Sequence, residues 1–172
     1  FVDDPAYASV LELIPKHPNV VIARTFSKIH GLAGMRLGYA VGSKESIAAM
    51  RPFLDQDNTN AAVLAAGLAS LADQENVAAC RGKFIATRNW LCSELARDGR
   101  AFTKSQANFL MIDVGGDVQP IVDQFAKRKI LVGRRFPSMN TWLRVSIGRQ
   151  PEMESFLAAL REIVPANGSK AA

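Results

Sequence analysis

The sequence has little of what metal and redox chemistry needs: two cysteines and two histidines in 172 residues. Cys80 and Cys92 fall in one predicted helix, where twelve steps of 1.5 Å hold them about 18 Å apart. That separation excludes a bridge between them, and the spacing is no metal motif. With only His17 and His30 elsewhere, no metal centre is expected. No run of about 18 apolar residues occurs, so no membrane-spanning helix is expected either. Blocks of like charge are missing too, because 21 basic and 16 acidic residues are spread along the chain for a net charge of +5. Without basic-aromatic interleaving, or a finger or recognition-helix pattern, nucleic acid is not an expected partner. There is no internal repeat and no low-complexity segment.

What is present suits a globular chain: 48% hydrophobic and 22% charged residues, enough to bury a core. The first residue is Phe1, and FVDDPAY begins as if already inside a strand. The sequence therefore reads as the later part of a longer protein, in which a signal peptide cannot be judged. A cytoplasmic location is the default expectation.

Val20 to Phe26 (VVIARTF) is short, β-branched and nearly continuously apolar, as in a strand buried on both faces of a parallel sheet. Leu37 to Val41 reads as a second strand. Between Tyr7 and Lys16, the spacing of Val10, Leu11 and Ile14 predicts a short helix before Pro18. This alternation favours an α/β layer architecture. Ala61 to Ala72 is apolar nearly all round, the pattern of an interior or interface helix, with Asn58 and Asn60 before it as caps. From Asn76 to Arg97 apolar residues recur about every 3.5 positions, predicting an amphipathic helix stopped by Gly99 and long enough to link two domains. There follow NFLMIDV, a helix from Val118 to Arg128, KILVG, WLRVSIG, and a last helix opened by Pro151 and faced by Met153, Phe156, Leu157, Leu160 and Ile163. These segments make a small α/β domain, and the tail PANGSKAA is expected to fray.

The stretch RTFSKIHGLAGMRLGYA, Arg24 to Ala40, puts Lys28 at the end of an apolar run and follows it with Gly31, Gly34, Arg36 and Gly38. The carboxyl end of a strand is where open parallel sheets present ligands. A lysine there attacks a carbonyl to form a Schiff base once it has lost its proton, which a cationic neighbour such as Arg36 promotes. Thr25 and Ser27 add hydroxyl donors, and the glycines let backbone approach a ligand closely. Hydroxyls, a guanidinium and glycine backbone together suit a phosphate.

The order S-K-x-x-G-L-A-G-x-R-x-G-Y, Ser27 to Tyr39, resembles the lysine motif of the class I/II aminotransferases, pyridoxal-phosphate enzymes of fold type I, and is most similar to the histidinol-phosphate aminotransferase branch. DPAY, Asp4 to Tyr7, resembles the family's D-E-A-Y, with Pro5 where glutamate is usual. SQANFLMID (Ser105 to Asp113) and WLRVSIG (Trp142 to Gly148) resemble the small-domain strands. The resemblance covers nearly the whole chain.

It implies an α/β fold: the end of a large pyridoxal-phosphate-binding domain over residues 1–75, a linking helix over 76–98 and a small C-terminal domain over 99–172. It implies that Lys28 carries pyridoxal 5'-phosphate as an internal aldimine and shuttles the substrate proton. Asp4 would pair with the pyridinium nitrogen, so that the protonated ring acts as electron sink. Tyr7 would bond the ring's phenolic oxygen, and Thr25, Ser27 and Arg36 would hold the phosphate. Arg144 would bind the substrate's carboxylate or phosphate through its planar fork. The implied partners are an amino donor and a 2-oxo acid, with a homodimer as the assembly of the full-length protein. The 172 residues alone are not expected to turn over, since they would lack one face of the cofactor pocket.

Several residues keep two readings. Asp3 and Asp4 also suit a turn or cap, and the three-residue step to Tyr7 favours Asp4 as the functional one. Asn108 either faces the site or satisfies backbone; Arg134 and Arg135 are either a second anion site or surface charges; His30 reads as packing. Two alternatives share the fold: a decarboxylase of a phosphorylated amino acid, in which a different substrate bond lies perpendicular to the ring, and the sensing domain of a transcription regulator.

Overall fold

Val20 to Phe26 contains a strand, shorter than its apolar run and with a different partner direction from the one expected. Ile22–Thr25 (β1) pairs antiparallel with Gly38–Val41 (β2), in a register running from Ile22↔Val41 to Thr25↔Gly38. A parallel return needs a crossover, usually a helix. The connection here holds only the 3-10 turn Ala33–Met35, so the chain comes back as a hairpin. In β1 only Ile22 is buried, with Phe26 just beyond it, while Ala23, Arg24 and Thr25 are exposed.

The computed structural model describes residues 1–54 and 59–165, and these divide into two units. One runs from Asp4 to Arg81; the other comprises Phe1–Asp3 and the chain from Gly82 onward. Asn58 and the tail beyond Pro165 lie outside the described residues.

In the first unit the predicted Tyr7 to Lys16 helix is only a 3-10 turn, Val10–Leu13, capped by Ser9, whose Oγ accepts from Leu11 N at 3.3 Å. Pro15 explains the early stop, because it restricts the residue before it and donates no N–H. A short helix that the apolar pattern did not suggest, Lys44–Met50 (α1), starts at Ser43, whose Oγ accepts from Ser46 N at 3.1 Å. Ala61–Ala72 (α2) has the predicted bounds and is capped by Asn60, whose Oδ1 accepts from Ala62 N at 2.8 Å. Of its two expected settings, interior or interface, the interior one is not met among the described residues. Gly67 is its one buried residue, packed so closely on Leu37 that a methyl there would collide, and Leu68 is 69% exposed.

Gln74–Arg97 (α3) continues through the Arg81/Gly82 division and ends at Gly99, whose φ of 68° lets Arg100 N donate back to Leu95 O at 2.9 Å. The second unit is built on Phe109–Asp113 (β3) and Trp142–Ser146 (β4), paired antiparallel from Phe109↔Ser146 to Asp113↔Trp142. Two helices cover this hairpin: Val118–Lys127 (α4), capped by Asp117, and Gln150–Ile163 (α5), with Pro151 in its first turn. Leu110, Ile112, Leu143 and Val145 face the core with Leu91 and Leu95 of α3, Phe125 of α4 and Phe156, Leu157 and Leu160 of α5. Phe125 and Phe156 stack at 5.2 Å with rings 13° apart. The predicted face of α5 is buried, with Ile163 partly so. KILVG is not a strand; Gly133 N donates to Arg144 O at 2.8 Å, and the segment stays irregular.

Phe1 to Asp3 is not in a strand either. Polar ties take the place of a ladder: Arg88, 2% exposed, pairs with the Asp3 carboxylate and donates to Phe1 O at 3.0 Å, and Asp3 N donates to Gln106 Oε1 at 2.9 Å. A buried guanidinium needs such a partner.

The C-terminal turn of α3 meets α5 through Arg161, which donates to both oxygens of Asp98 at 2.7 and 2.8 Å and to Glu94 Oε2 at 2.9 Å. These bonds hold both carboxyls below their ordinary range. Carboxyls with depressed native values contribute stability that is complete above about pH 5 and lost as the pH falls through those values. The urea midpoint of this unit is therefore expected to drop between pH 5 and pH 2, and more steeply than in an Arg161→Met variant. Equal slopes in the two proteins would contradict this.

Among the described residues no helix is long and apolar enough to cross a membrane, and no cluster of three or more His, Cys, Asp or Glu is placed to hold a metal ion.

Candidate functional site

The β1–β2 register assembles the lysine turn. Phe26 N donates to Leu37 O at 3.0 Å, which extends the pairing by one step, so the next pair in sequence is Ser27 opposite Arg36. Thr25 Oγ1 accepts from Ser27 N at 3.0 Å, a local bond that bends the chain at the strand end. Lys28 O accepts from Gly31 N at 2.9 Å, with Gly31 at φ 66°, and Leu32 N closes the loop onto Phe26 O at 3.0 Å. Arg36 has φ 55° and ψ 52°, and its Nη1 donates to Ala33 O at 2.8 Å. Thr25, Ser27, Lys28 and Arg36 thus share one end of the hairpin, at the carboxyl end of β1, with the Lys28 side chain exposed.

Beneath them the loop is anchored. Phe26 is buried, His30 packs on it at 4.8 Å between ring centres, and His30 Nδ1 shares a 2.8 Å hydrogen bond with Ser70 Oγ of α2. The glycines divide by cause. Gly31 supplies the positive φ; a methyl at Gly38 would sit 2.8 Å from Arg24 O, so that glycine serves strand pairing rather than a ligand; a methyl at Gly34 would meet no described atom within 4 Å. A cleft of about 960 Å³ beside the hairpin is lined by Arg24, Tyr39, Met50 and Arg51 rather than by the lysine-turn groups.

Asp4 and Tyr7 lie in the same unit as Lys28. Asp4 Oδ1 accepts from Ala6 N at 2.8 Å and Asp4 O from Tyr7 N at 3.1 Å, a turn around Pro5 that fixes the step from aspartate to tyrosine. Tyr7 is 53% exposed. The neighbouring Asp3 is engaged elsewhere: hydrogen bonds from Asn89 and Arg88 hold its carboxyl below the usual range.

Arg144 and Asn108 belong to the other unit. Asn108 is half-buried at the start of β3, where its backbone oxygen accepts from Ile147 N at 3.0 Å. The Arg144 guanidinium lies 4.3 Å from the centre of the Phe109 ring, and its buried Nε has no hydrogen-bond partner among the described residues. Arg134 and Arg135 have structural occupations: Arg134 stacks on Phe136 at 4.9 Å, and Arg135 pairs with Asp117 at 3.5 Å. Phe109 and Gly133 both contact Arg144, and no local sequence pattern reports either contact.

The donor set at the lysine turn fits a phosphorylated aldehyde. It offers a primary amine for the carbonyl, and two hydroxyls with a guanidinium for the phosphate. A carboxylate and a phenol in the same unit suit a protonated ring nitrogen and a ring oxygen.

Comparison with known proteins agrees with this chemistry. Residues 1–160 match the family model "Aminotransferase class I and II". The histidinol-phosphate aminotransferase of Geotalea daltonii is 42% identical over 165 residues, covering 93% of this chain and 47% of that protein. Its counterpart in Geobacter sulfurreducens is 41% identical over 170 residues, covering 94% and 48%. The crystal structure of histidinol-phosphate aminotransferase from Sinorhizobium meliloti in complex with pyridoxal-5'-phosphate superposes with a TM-score of 0.76 at 30% identity, covering 88% of this chain and 42% of that one. The chain spans about half the length of the curated relatives it matches.

Proposed function

The chain belongs to the class I and II aminotransferase family, and from that premise we propose that the whole protein is a pyridoxal-phosphate-dependent aminotransferase. It would move an amino group between an amino acid or amino-phosphate of the histidinol-phosphate kind and a 2-oxo acid. The observation that carries this reading is that Thr25, Ser27, Lys28 and Arg36 share one end of the β1–β2 hairpin, at the carboxyl end of β1.

Pyridoxal phosphate, when bound, supplies an electron sink that lets a substrate carbon carry negative charge. The rest is the work of the chain. Lys28 Nζ would hold the cofactor through its carbonyl and would serve as the base that takes and returns the substrate proton. Thr25 and Ser27 hydroxyls and the Arg36 guanidinium would hold the phosphate. Asp4 would keep the proton on the ring nitrogen, and Tyr7 would donate to the ring oxygen. Arg144, with Asn108 beside the start of β3, receives the substrate's carboxylate or phosphate.

In this reading α3 links the cofactor-holding domain (residues 1–75) to the small domain (residues 99–172). The assembly would be a homodimer and the setting cytoplasmic. Alignment with named aminotransferases over at least 93% of the chain favours transamination over the decarboxylase and regulator-domain readings.

Borohydride treatment of the loaded whole protein, followed by peptide mapping, tests the assignment. The expected result is a fixed label on the peptide containing Lys28. Label on Lys44 instead would overturn it.

A further inference from the structure

We propose that Gly133 and Phe109 are positioning residues that clamp the Arg144 side chain and so set its affinity for the substrate's anionic group; this rests on the substrate-binding role given to Arg144 above. Arginine has a long, flexible stem, and its fork recognises an anion well only when it is held in one place. Two features hold it.

The first is the sheet. Arg144 pairs with Met111 and Ser146 with Phe109, so these four side chains share one face of the hairpin while Leu110, Ile112, Leu143 and Val145 turn to the core. Phe109 is thereby the diagonal neighbour of Arg144, and its ring lies 4.3 Å from the guanidinium carbon.

The second is a missing side chain. Gly133 is not among the residues with positive φ, so its backbone conformation does not require glycine. Space does: a methyl there would stand 2.8 Å from Arg144 Cγ, 2.9 Å from Arg144 O and 3.0 Å from Arg144 Cβ, closer than real carbons pack. Gly133 N also donates to Arg144 O at 2.8 Å, which ties the two segments together. Backbone against the stem and a ring against the fork restrict where the guanidinium can lie. Its buried Nε has no partner in that position among the described residues, and most of the chain's other arginines are paired with carboxylates or carbonyls. In this proposal the guanidinium so held receives the substrate's anionic group.

The test uses the loaded whole protein with inorganic phosphate as competitive probe, beside Gly133→Ala, Phe109→Leu, Phe109→Trp and Arg144→Lys. The expected result is that Gly133→Ala and Phe109→Leu weaken phosphate inhibition and raise the amino-donor KM by about tenfold, with kcat within about twofold. The cofactor's visible absorption should stay unchanged. Phe109→Trp, which keeps an aromatic face, should restore most of the affinity, a rescue that a merely structural role would not give. Should Gly133→Ala fail to fold, the two Phe109 variants decide alone. If Arg144→Lys weakens binding while Phe109→Leu and Gly133→Ala do not, the clamp is wrong and the anion site stands. If Arg144→Lys itself changes nothing, the anion-binding role fails and the clamp falls with it.

Discussion

Replacing Lys28 by alanine in the whole protein is expected to lower turnover by about 10³-fold or more and to leave the fold intact. In the role proposed for Lys28, two contributions would vanish together: the nucleophile that holds the cofactor's carbonyl, and the base that moves the substrate proton, the latter alone worth roughly 10²- to 10⁴-fold. The fold should not notice, because the Lys28 side chain is exposed on a bend whose order comes from backbone bonds and from Phe26, His30 and Ser70 beneath it. Surface changes of this kind stay within about 0.5 kcal/mol. Single-turnover kinetics beside a thermal melt makes the test. Turnover within about tenfold of the parent, with an unchanged melt, would remove Lys28 from the chemistry.

Phe125→Ala is expected to destabilise the second unit by about 3–5 kcal/mol, the usual cost of deleting a buried phenylalanine and leaving a cavity. Phe125 has no exposed surface and stacks on Phe156, so α4 and α5 lose their shared ring contact at once. Against a typical domain stability of about 5–15 kcal/mol, that loss consumes much of the margin. Urea unfolding followed by helical circular dichroism should show it, with Phe53→Ala as the comparison, since Phe53 is 89% exposed. A change below about 1 kcal/mol for Phe125→Ala would mean that the core repacks around the gap.

Helices were the most legible part of the fold, because their signals are local. Asn60 before an apolar run, Gly99 after a periodic one and Pro151 at a start each satisfy or release backbone groups within a few residues, and α2, α3 and α5 follow. Strand direction was not legible. VVIARTF carries the same apolar run whether its partner is parallel or antiparallel, and the decision lies in a loop that makes a turn instead of a helix. KILVG has strand composition but no ladder. Lys44–Met50 was missed because seven residues are too few to show a period. Of the candidate site, the residue types were readable, whereas their meeting was not: the opposition of Ser27 and Arg36 follows from register, and the contact of Gly133 with Arg144 joins segments that carry no mark of each other.

The left-handed backbone of Arg36 bears on how this protein could be made more robust. Among the described residues two non-glycine residues have positive φ, Arg36 at 55° and Lys129 at 59°, and each carries a conformational cost of roughly 1 kcal/mol that glycine would relieve. A thermostability screen blind to function would select glycine at both positions. The cofactor and substrate contacts proposed above do not include Lys129, so glycine there would leave them untouched. At Arg36 the same change would remove the guanidinium proposed above to hold the cofactor's phosphate, together with its bond to Ala33 O, so heat resistance there would be set against the proposed cofactor site.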